Sequence, residues 1–237
     1  MILQEARMKP FINNYEDIME LLDSQIEGLP WNTLYTERNK PAPFLLQNDL
    51  PDENLVEFLE TKPHIESAIE FGCGEGRNSI YMAKQGIAVT AIDISDVAIS
   101  NAKENAANKE VQIDFQCKEA FKTDIKMKFD FAYDSGMFHH LAPHRRITYI
   151  NLLKTILNDN GYFGLVCFAW GENVAGEIDD WEFYQQKWRG EIAFTKERLI
   201  DLFTPNFEII EIRKYKSGIP NTIQGLDFLW TCLFRNN

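Results

Sequence analysis

The residues best equipped for chemistry stand together at Glu70-Phe71-Gly72-Cys73-Gly74-Glu75-Gly76-Arg77-Asn78. A short apolar run, Ala68 to Phe71, carries an acid. Three glycines follow at alternate positions, and a helical pattern, Asn78 to Gln85, begins at once. Strand, glycine turn and helix in that order form the phosphate-or-nucleotide corner of a doubly wound sheet. Glycine lets the backbone take unusual angles and lets a ligand approach where a Cβ would stand. The helix N-terminus offers unpaired N–H groups to a ligand anion. The spacing Gly72-x-Gly74-x-Gly76 departs from the G-x-G-x-x-G of dinucleotide folds, and Glu70 would repel a pyrophosphate while holding an ammonium group. About twenty residues on, a second apolar run, Val89 to Asp93, also ends in an acid, placed to accept from both hydroxyls of a ribose. A ligand with an amino group, a ribose and no pyrophosphate fits this set better than NAD. Glycines alone would describe nothing more than a turn; the two acids and the βαβ context separate the readings.

The run Glu70 to Gly76, followed by Ala91-Ile92-Asp93, resembles the class I S-adenosylmethionine (SAM)-dependent methyltransferases. The resemblance covers roughly Ser67 to Phe168, and the remainder only in outline. It implies SAM as cofactor and S-adenosylhomocysteine (SAH) as product. It further implies that Glu70 with the loop Gly72, Cys73, Gly74 and Gly76 holds the methionine end, and that Asp93, with Ile94 beside it, holds the ribose. Glu119 and Ala120 stand where the superfamily has an acid and a small residue for the adenine, Glu119 replacing the commoner aspartate; the plain alternative is a solvated glutamate. Arg77-Asn78 resembles the G-R-N continuation of tellurite-type relatives, where Arg77 would meet the SAM carboxylate, unless it is an ordinary solvated arginine at a helix start. Trp31, Tyr35 and Pro43-Phe44 form a pattern similar to the segment before the core in thiopurine- and tellurite-type methyltransferases. There it helps to close the pocket; the alternative is that it pins the N-terminal segment to the body. A second resemblance lies in His139-His140-Leu141 after the fourth strand. It implies that Asp134 faces the methyl-donor region or the substrate. One histidine, His139 before His140, could then take a proton from the substrate near neutral pH, the alternative being a histidine that bonds neighbouring loops. Relatives often have P-G-G where this chain has Asn158-Asp159-Asn160-Gly161, a change expected to affect only turn stability.

These residues need a regular frame to position them. Tyr15 to Glu27 carries Ile18, Leu21, Leu22 and Ile26 at helical spacing and is closed by Gly28-Leu29-Pro30. Trp31 to Tyr35 reads as loop. Pro51 to Glu60 reads as a helix with Leu55, Phe58 and Leu59 on one face, stopped by Lys62-Pro63. Ser95 or Asp96 caps a helix to about Asn108, with Val97, Ala98, Ala102 and Ala106 inward. Val111 to Phe115 alternates as a strand, Phe129 to Asp134 is the fourth strand, Arg145 to Leu157 is a helix, Asn158 to Gly161 is a turn, and Tyr162 to Phe168 is a strand buried on both faces. Ala169 to Ala193, with Trp170, Trp181, Phe183, Tyr184 and Trp188, is either an amphipathic helix on the sheet or a substrate lid that sets substrate choice. A capped helix from Thr195 precedes two late strands, Phe207 to Ile212 and Phe228 to Phe234, expected as an antiparallel hairpin. The expected fold is α/β: a three-layer Rossmann-like domain with a seven-stranded, mostly parallel sheet, an antiparallel edge hairpin and an N-terminal helical cap. Residues 1–64 form the cap or lid, and residues 65–237 the core, with an insertion near 170–193.

Composition bounds the function. The chain has 237 residues, 45% hydrophobic and 13% aromatic, enough for a full core. A net charge of −12 argues against a nucleic-acid partner, which needs a basic footprint. No apolar run approaches the ~20 residues of a membrane span, and Met1 to Arg7 lacks the pattern of a signal peptide. The cysteines Cys73, Cys117, Cys167 and Cys232 are far apart and read as reduced, mostly buried thiols, which points to the cytoplasm. His64 and His144 read as surface histidines, and no H-x-x-x-H or C-x-x-C spacing predicts a metal site. The function expected is methyl transfer from SAM to a small-molecule acceptor. Alternatives are a SAM-binding sensor without turnover and an NAD-dependent oxidoreductase. The acceptor, its reacting atom and the oligomeric state are left open.

Overall fold

Five strands with mostly apolar inner residues pair in parallel. In the computed structural model, which describes residues 11–26, 28–37, 43–47, 49–61, 64–188 and 190–237, these are β1 (Ser67–Phe71), β2 (Ala88–Asp93), β3 (Asp114–Cys117), β4 (Phe129–Ser135) and β5 (Leu157–Phe168). With β6 (Phe207–Lys214) and β7 (Leu229–Asn236) they form a seven-stranded sheet of order β3-β2-β1-β4-β5-β7-β6. β7 runs antiparallel to both β5 and β6, so the edge hairpin expected from the sequence is present.

Among the described residues four helices precede the sheet: α1 (Tyr15–Asp23), α2 (Trp31–Glu37), α3 (Pro43–Leu46) and α4 (Glu53–Thr61). Crossovers α5 (Arg77–Lys84), α6 (Asp96–Asn108) and α7 (Pro143–Ile156) connect successive parallel strands. α8 (Asp180–Gln185) and α9 (Lys196–Phe203) lie between β5 and β6. Caps set several starts: Ser95 Oγ accepts from Ala98 N–H at α6, and Thr195 Oγ1 from Arg198 N–H at α9.

The sheet separates two apolar layers. Under α7 and α9 lie Phe71, Phe138, Tyr149, Phe163, Phe203 and Phe234. Under α4 and α5 lie Leu55, Phe58, Met82, Phe131 and Tyr133. Truncating one of these buried phenylalanines to alanine is expected to cost about 3–5 kcal/mol.

The structure moves several boundaries. Trp31 and Tyr35 are not in a loop but on α2. The third strand begins at Asp114 and not at Val111, because the chain leaves α6 through Glu110 at φ 55° and Val111 N–H is still bonded to Ala106. The stretch Asn158 to Gly161 is not a free turn. It is a bulged start of β5: Leu157 pairs with Phe129 and Tyr162 with Phe131, and the extra residues are taken up at Asn160, φ 63°. Helix α1 ends at Asp23, and the expected end at Glu27 lies outside the described residues, as do the stop signal Lys62-Pro63 and Pro41. The segment 170–193 is not one amphipathic helix. Among its described residues it holds the short α8 and the isolated bridge of Gly176 with Ile192, and a second bridge, Ala169 with Phe194, joins the residues that flank it. Phe183 is buried in the core there, while Trp181 is 78% exposed. Among the described residues no helix is long and apolar enough to cross a membrane.

Candidate active site

Strand order reverses at β1 and β4, and an open α/β sheet binds ligands beyond its carboxyl ends at such a point. A cavity of about 670 Å³ opens there. β1 delivers Glu70 and the glycine turn to its wall. Gly72 and Gly74 have φ of +66° and +53°. A Cβ on Gly72 would stand 2.8 Å from Met137 Cβ, and one on Gly74 2.8 Å from the Tyr35 hydroxyl. The loop is thus both left-handed and closely covered, which only glycine tolerates.

Glu70 is buried, and its carboxyl takes a hydrogen bond from Ser79 Oγ. Burial is the main cause that pushes its pKa up to about 8, against the opposing pull of Ser79 and Arg77. A carboxyl in that state gains most from a cation brought beside it. Asp93, at the end of β2, accepts from Gly74 N–H at 2.8 Å and from Ser95 N–H at 2.8 Å. It therefore braces the glycine loop while its remaining lone pairs face the cavity. Burial raises its pKa too, opposed by those backbone bonds. Ile94 is exposed beside it at the rim. Cys73 is buried, and burial holds its thiol protonated, so it is a wall atom and not a nucleophile. Lys118 N–H bonds Asp93 O at 2.9 Å, which sets the following 3₁₀ turn, Ala120–Lys122, against β2. Glu119, ion-paired to Lys122 at 2.7 Å, and buried Ala120 line the same end.

Arg77 and Asn78 also line the cavity. Arg77 is not a solvated arginine: its side chain is 10% exposed and its Nη1 lies 2.9 Å from Asp52 Oδ1. It also donates to Ser135 Oγ at 3.1 Å. Asn78 Nδ2 and the Tyr133 hydroxyl each donate to Asp52 Oδ2 at 2.9 Å. The sequence reading missed Asp52, which stands just before α4 and answers the Arg77 charge. Trp31 and Tyr35, on α2, form the roof. Tyr35 packs with Leu45 and Ala98, and Ser95 Oγ lies 2.7 Å from Asn32 Oδ1, tying α2 to the β2–α6 turn.

Beyond the glycine loop the cavity continues to a 3₁₀ turn, Phe138–His140, directly after β4. Both His139 and His140 reach the wall. Burial lowers the His139 pKa far below the usual value and that of His140 to about 4, so both rings are neutral at pH 7. Trp31 meets His140 edge-on at 4.7 Å, and Phe168 packs on His139 at 4.2 Å. Asp134 is a correction. Strand alternation points Tyr133 toward α4 and Asp134 toward α7, beneath the cavity wall and outside it, while Ser135 takes the wall position. Asp134 Oδ1 caps the turn by accepting from Met137 N–H at 2.8 Å. Its burial raises its pKa to about 7. His144 is a second correction: it is buried, with Nδ1 2.7 Å from the Tyr184 hydroxyl and Nε2 2.8 Å from Asp23, and joins α1, α7 and α8. The walls that no motif announced are Met137, Phe168, Glu191, Leu226 and Phe228. Strand alternation could have found Ser135; nothing local marks Glu191.

A glycine loop at the switch point, with acids at the ends of β1 and β2, is the arrangement that the resemblance to class I SAM-dependent methyltransferases implies, and sequence comparison points the same way. Residues 68–161 match the methyltransferase domain family model. The chain is similar to the class I SAM-dependent methyltransferases, whose cofactor is SAM. It is 29% identical over 105 residues, 44% of this chain and 72% of the relative, to an uncharacterised methyltransferase of Schizosaccharomyces pombe. It is 27% identical over 132 residues to the probable SAM-dependent methyltransferase TehB of Haemophilus influenzae, covering 49% of this chain and 46% of that protein. The TehB crystal structure superposes with a TM-score of 0.62 at 18% identity over 87% of this chain and 67% of TehB. The N-methyltransferase NodS of Bradyrhizobium japonicum, solved with SAH, superposes with a TM-score of 0.60 at 17% identity over 92% and 97% of the two chains.

Proposed function

We propose that this protein transfers the methyl group of SAM to a small-molecule acceptor. The observation that carries the reading is the pairing of Glu70 and Asp93 across a covered glycine loop, in a cavity that runs on to the histidine turn. The residues present fit the cofactor. Glu70, a buried carboxyl whose charge is disfavoured by burial, suits the methionine ammonium, and Asp93 suits the ribose. Glu119 and Ala120 stand ready for the adenine. Arg77, with its charge already met by Asp52, serves the carboxylate end as a neutralised donor. SAM supplies an electrophilic methyl on a sulfonium, and the protein's part is to align, exclude water and hold charge; alignment alone can supply ~7 kcal/mol or more. α2 acts as the lid through Trp31 and Tyr35, with residues 1–64 as the cap of a single domain. The volume of the cavity, about 670 Å³, favours a small acceptor over a macromolecule. Calorimetric titration with SAM and SAH, with NADH as control, tests the reading. Micromolar binding of both sulfur ligands and none of NADH supports it, and binding of NADH alone overturns it.

A further inference from the structure

The far end of the cavity holds groups that the cofactor does not use. Ile192 N–H bonds His139 O at 2.9 Å, which draws the segment after α8 onto the histidine turn. Glu191 O accepts from Gly176 N–H at 2.9 Å and from Trp188 Nε1 at 3.3 Å, so the backbone that carries Glu191 is pinned on both sides. Its carboxylate reaches the cavity wall and has no hydrogen bond or ion pair among the described residues. It acts on His140 through space, opposing the effect of burial. Both imidazoles are likewise unheld. The Nδ1 atoms of His139 and His140 are buried without a partner, so no carboxylate orients either ring as a base. The other wall is flat and apolar, with Phe168 stacked on Phe228 at 5.8 Å beside Leu226. Of the described basic residues that line the cavity, Arg77 is held by Asp52 and Lys118 stands beside Glu119 and Ala120 after β3, and Glu70 is protonated at neutral pH.

We infer that the acceptor is a flat, neutral aromatic nitrogen base that becomes cationic on methylation, and that Glu191 is the counter-charge that recognises it. The inference rests on the methyltransferase reading above. In such a transfer the nitrogen lone pair forms the new N–C bond, the old C–S bond breaks with its electrons kept by sulfur, and no proton leaves the acceptor. The positive charge passes from sulfur to the acceptor nitrogen, where an unpaired carboxylate beside an apolar wall stabilises it. An aromatic face adds to that stabilisation. Methylation of a phenol would need a base instead. Neither histidine provides one, because a proton moved from a phenol to an imidazole so disfavoured as a cation climbs steeply uphill. An anionic acceptor would be repelled by Glu191.

The test uses binding to the SAH-loaded full chain, after SAH affinity has been measured alone. Three probes of one shape differ in charge: N-methylquinolinium, 1-methylnaphthalene and 1-naphthoate. The expected result is N-methylquinolinium binding at least tenfold tighter than 1-methylnaphthalene, no measurable binding of 1-naphthoate, and loss of the cation preference in Glu191→Gln at unchanged SAH affinity. Equal or tighter binding of either other probe, failure of N-methylquinolinium to bind, or a preference that survives Glu191→Gln overturns the assignment. Failure of SAH itself to bind overturns the methyltransferase reading, so the two failures are distinct.

Discussion

Replacing Glu70 by glutamine separates a binding carboxyl from a structural one. In the folded protein Glu70 protonates at about 8 instead of the ordinary 4.5, because burial disfavours its charge. The native state therefore binds more protons than the unfolded chain between those values, and stability falls as pH rises through that window. Each pH unit is worth about 1.4 kcal/mol. The wild type thus carries a penalty of under ~1 kcal/mol at pH 5 and about 3 kcal/mol at pH 7, which levels off above pH 8. Glutamine keeps the shape and the bond to Ser79 without the ionisation. Glu70→Gln should be about as stable as wild type at pH 5 and more stable by roughly 3 kcal/mol at pH 7. The same variant should lose SAM affinity by roughly a hundredfold, the effect of removing one member of a buried charge pair. Wild type should also release close to one proton on binding SAM at pH 7, read by calorimetry in two buffers of different ionisation enthalpy, and the variant none. Urea unfolding at the two pH values gives the stability difference. A difference that does not change with pH, or full SAM affinity in the variant, would refute the reasoning.

Further outcomes follow from the same geometry. Asp93→Ala should weaken SAH binding by tenfold or more and, because Gly74 and Ser95 N–H lose their acceptor, cost about 1–3 kcal/mol of stability by urea unfolding. Asp52→Ala should cost about 3–5 kcal/mol, since it leaves the Arg77 guanidinium buried without its partner; Asp52→Asn, which keeps the bonds to Asn78 and Tyr133, should cost less. The pH profile of kcat should show no histidine limb near 6.5, because both cavity imidazoles stay neutral well below it. Trp31→Ala should raise the SAH dissociation constant by about tenfold with a small change in Tm, since the ring caps the cavity and packs on the small cluster of Tyr35, Leu45 and Ala98, outside the two large layers.

The cofactor half of the site was legible in the sequence because it is local. Glu70, the glycines and Asp93 lie at the ends of two adjacent strands joined by one helix, and short-range backbone rules determine where those ends go. Periodicity likewise gave the order of strands and helices and the late hairpin, since burial on one or two faces leaves a direct imprint on residue spacing. What spacing does not carry is long-range pairing. Asp52 meets Arg77 from across 25 residues of chain, and Glu191 reaches the histidine turn only because Ile192 bonds back to His139. His144 reads as a surface residue until α1 and α8 close over it. Asp134 ends its strand as an active-site acid would, yet the pleat turns it to the other layer and gives the wall to Ser135. The sequence by itself determined the fold class and the carboxyls proposed to meet the cofactor. Only the tertiary structure decided which charges are already spent, which imidazoles are neutral and which acid stands unpaired at the cavity wall, because those properties depend on neighbours that burial brings together from distant parts of the chain.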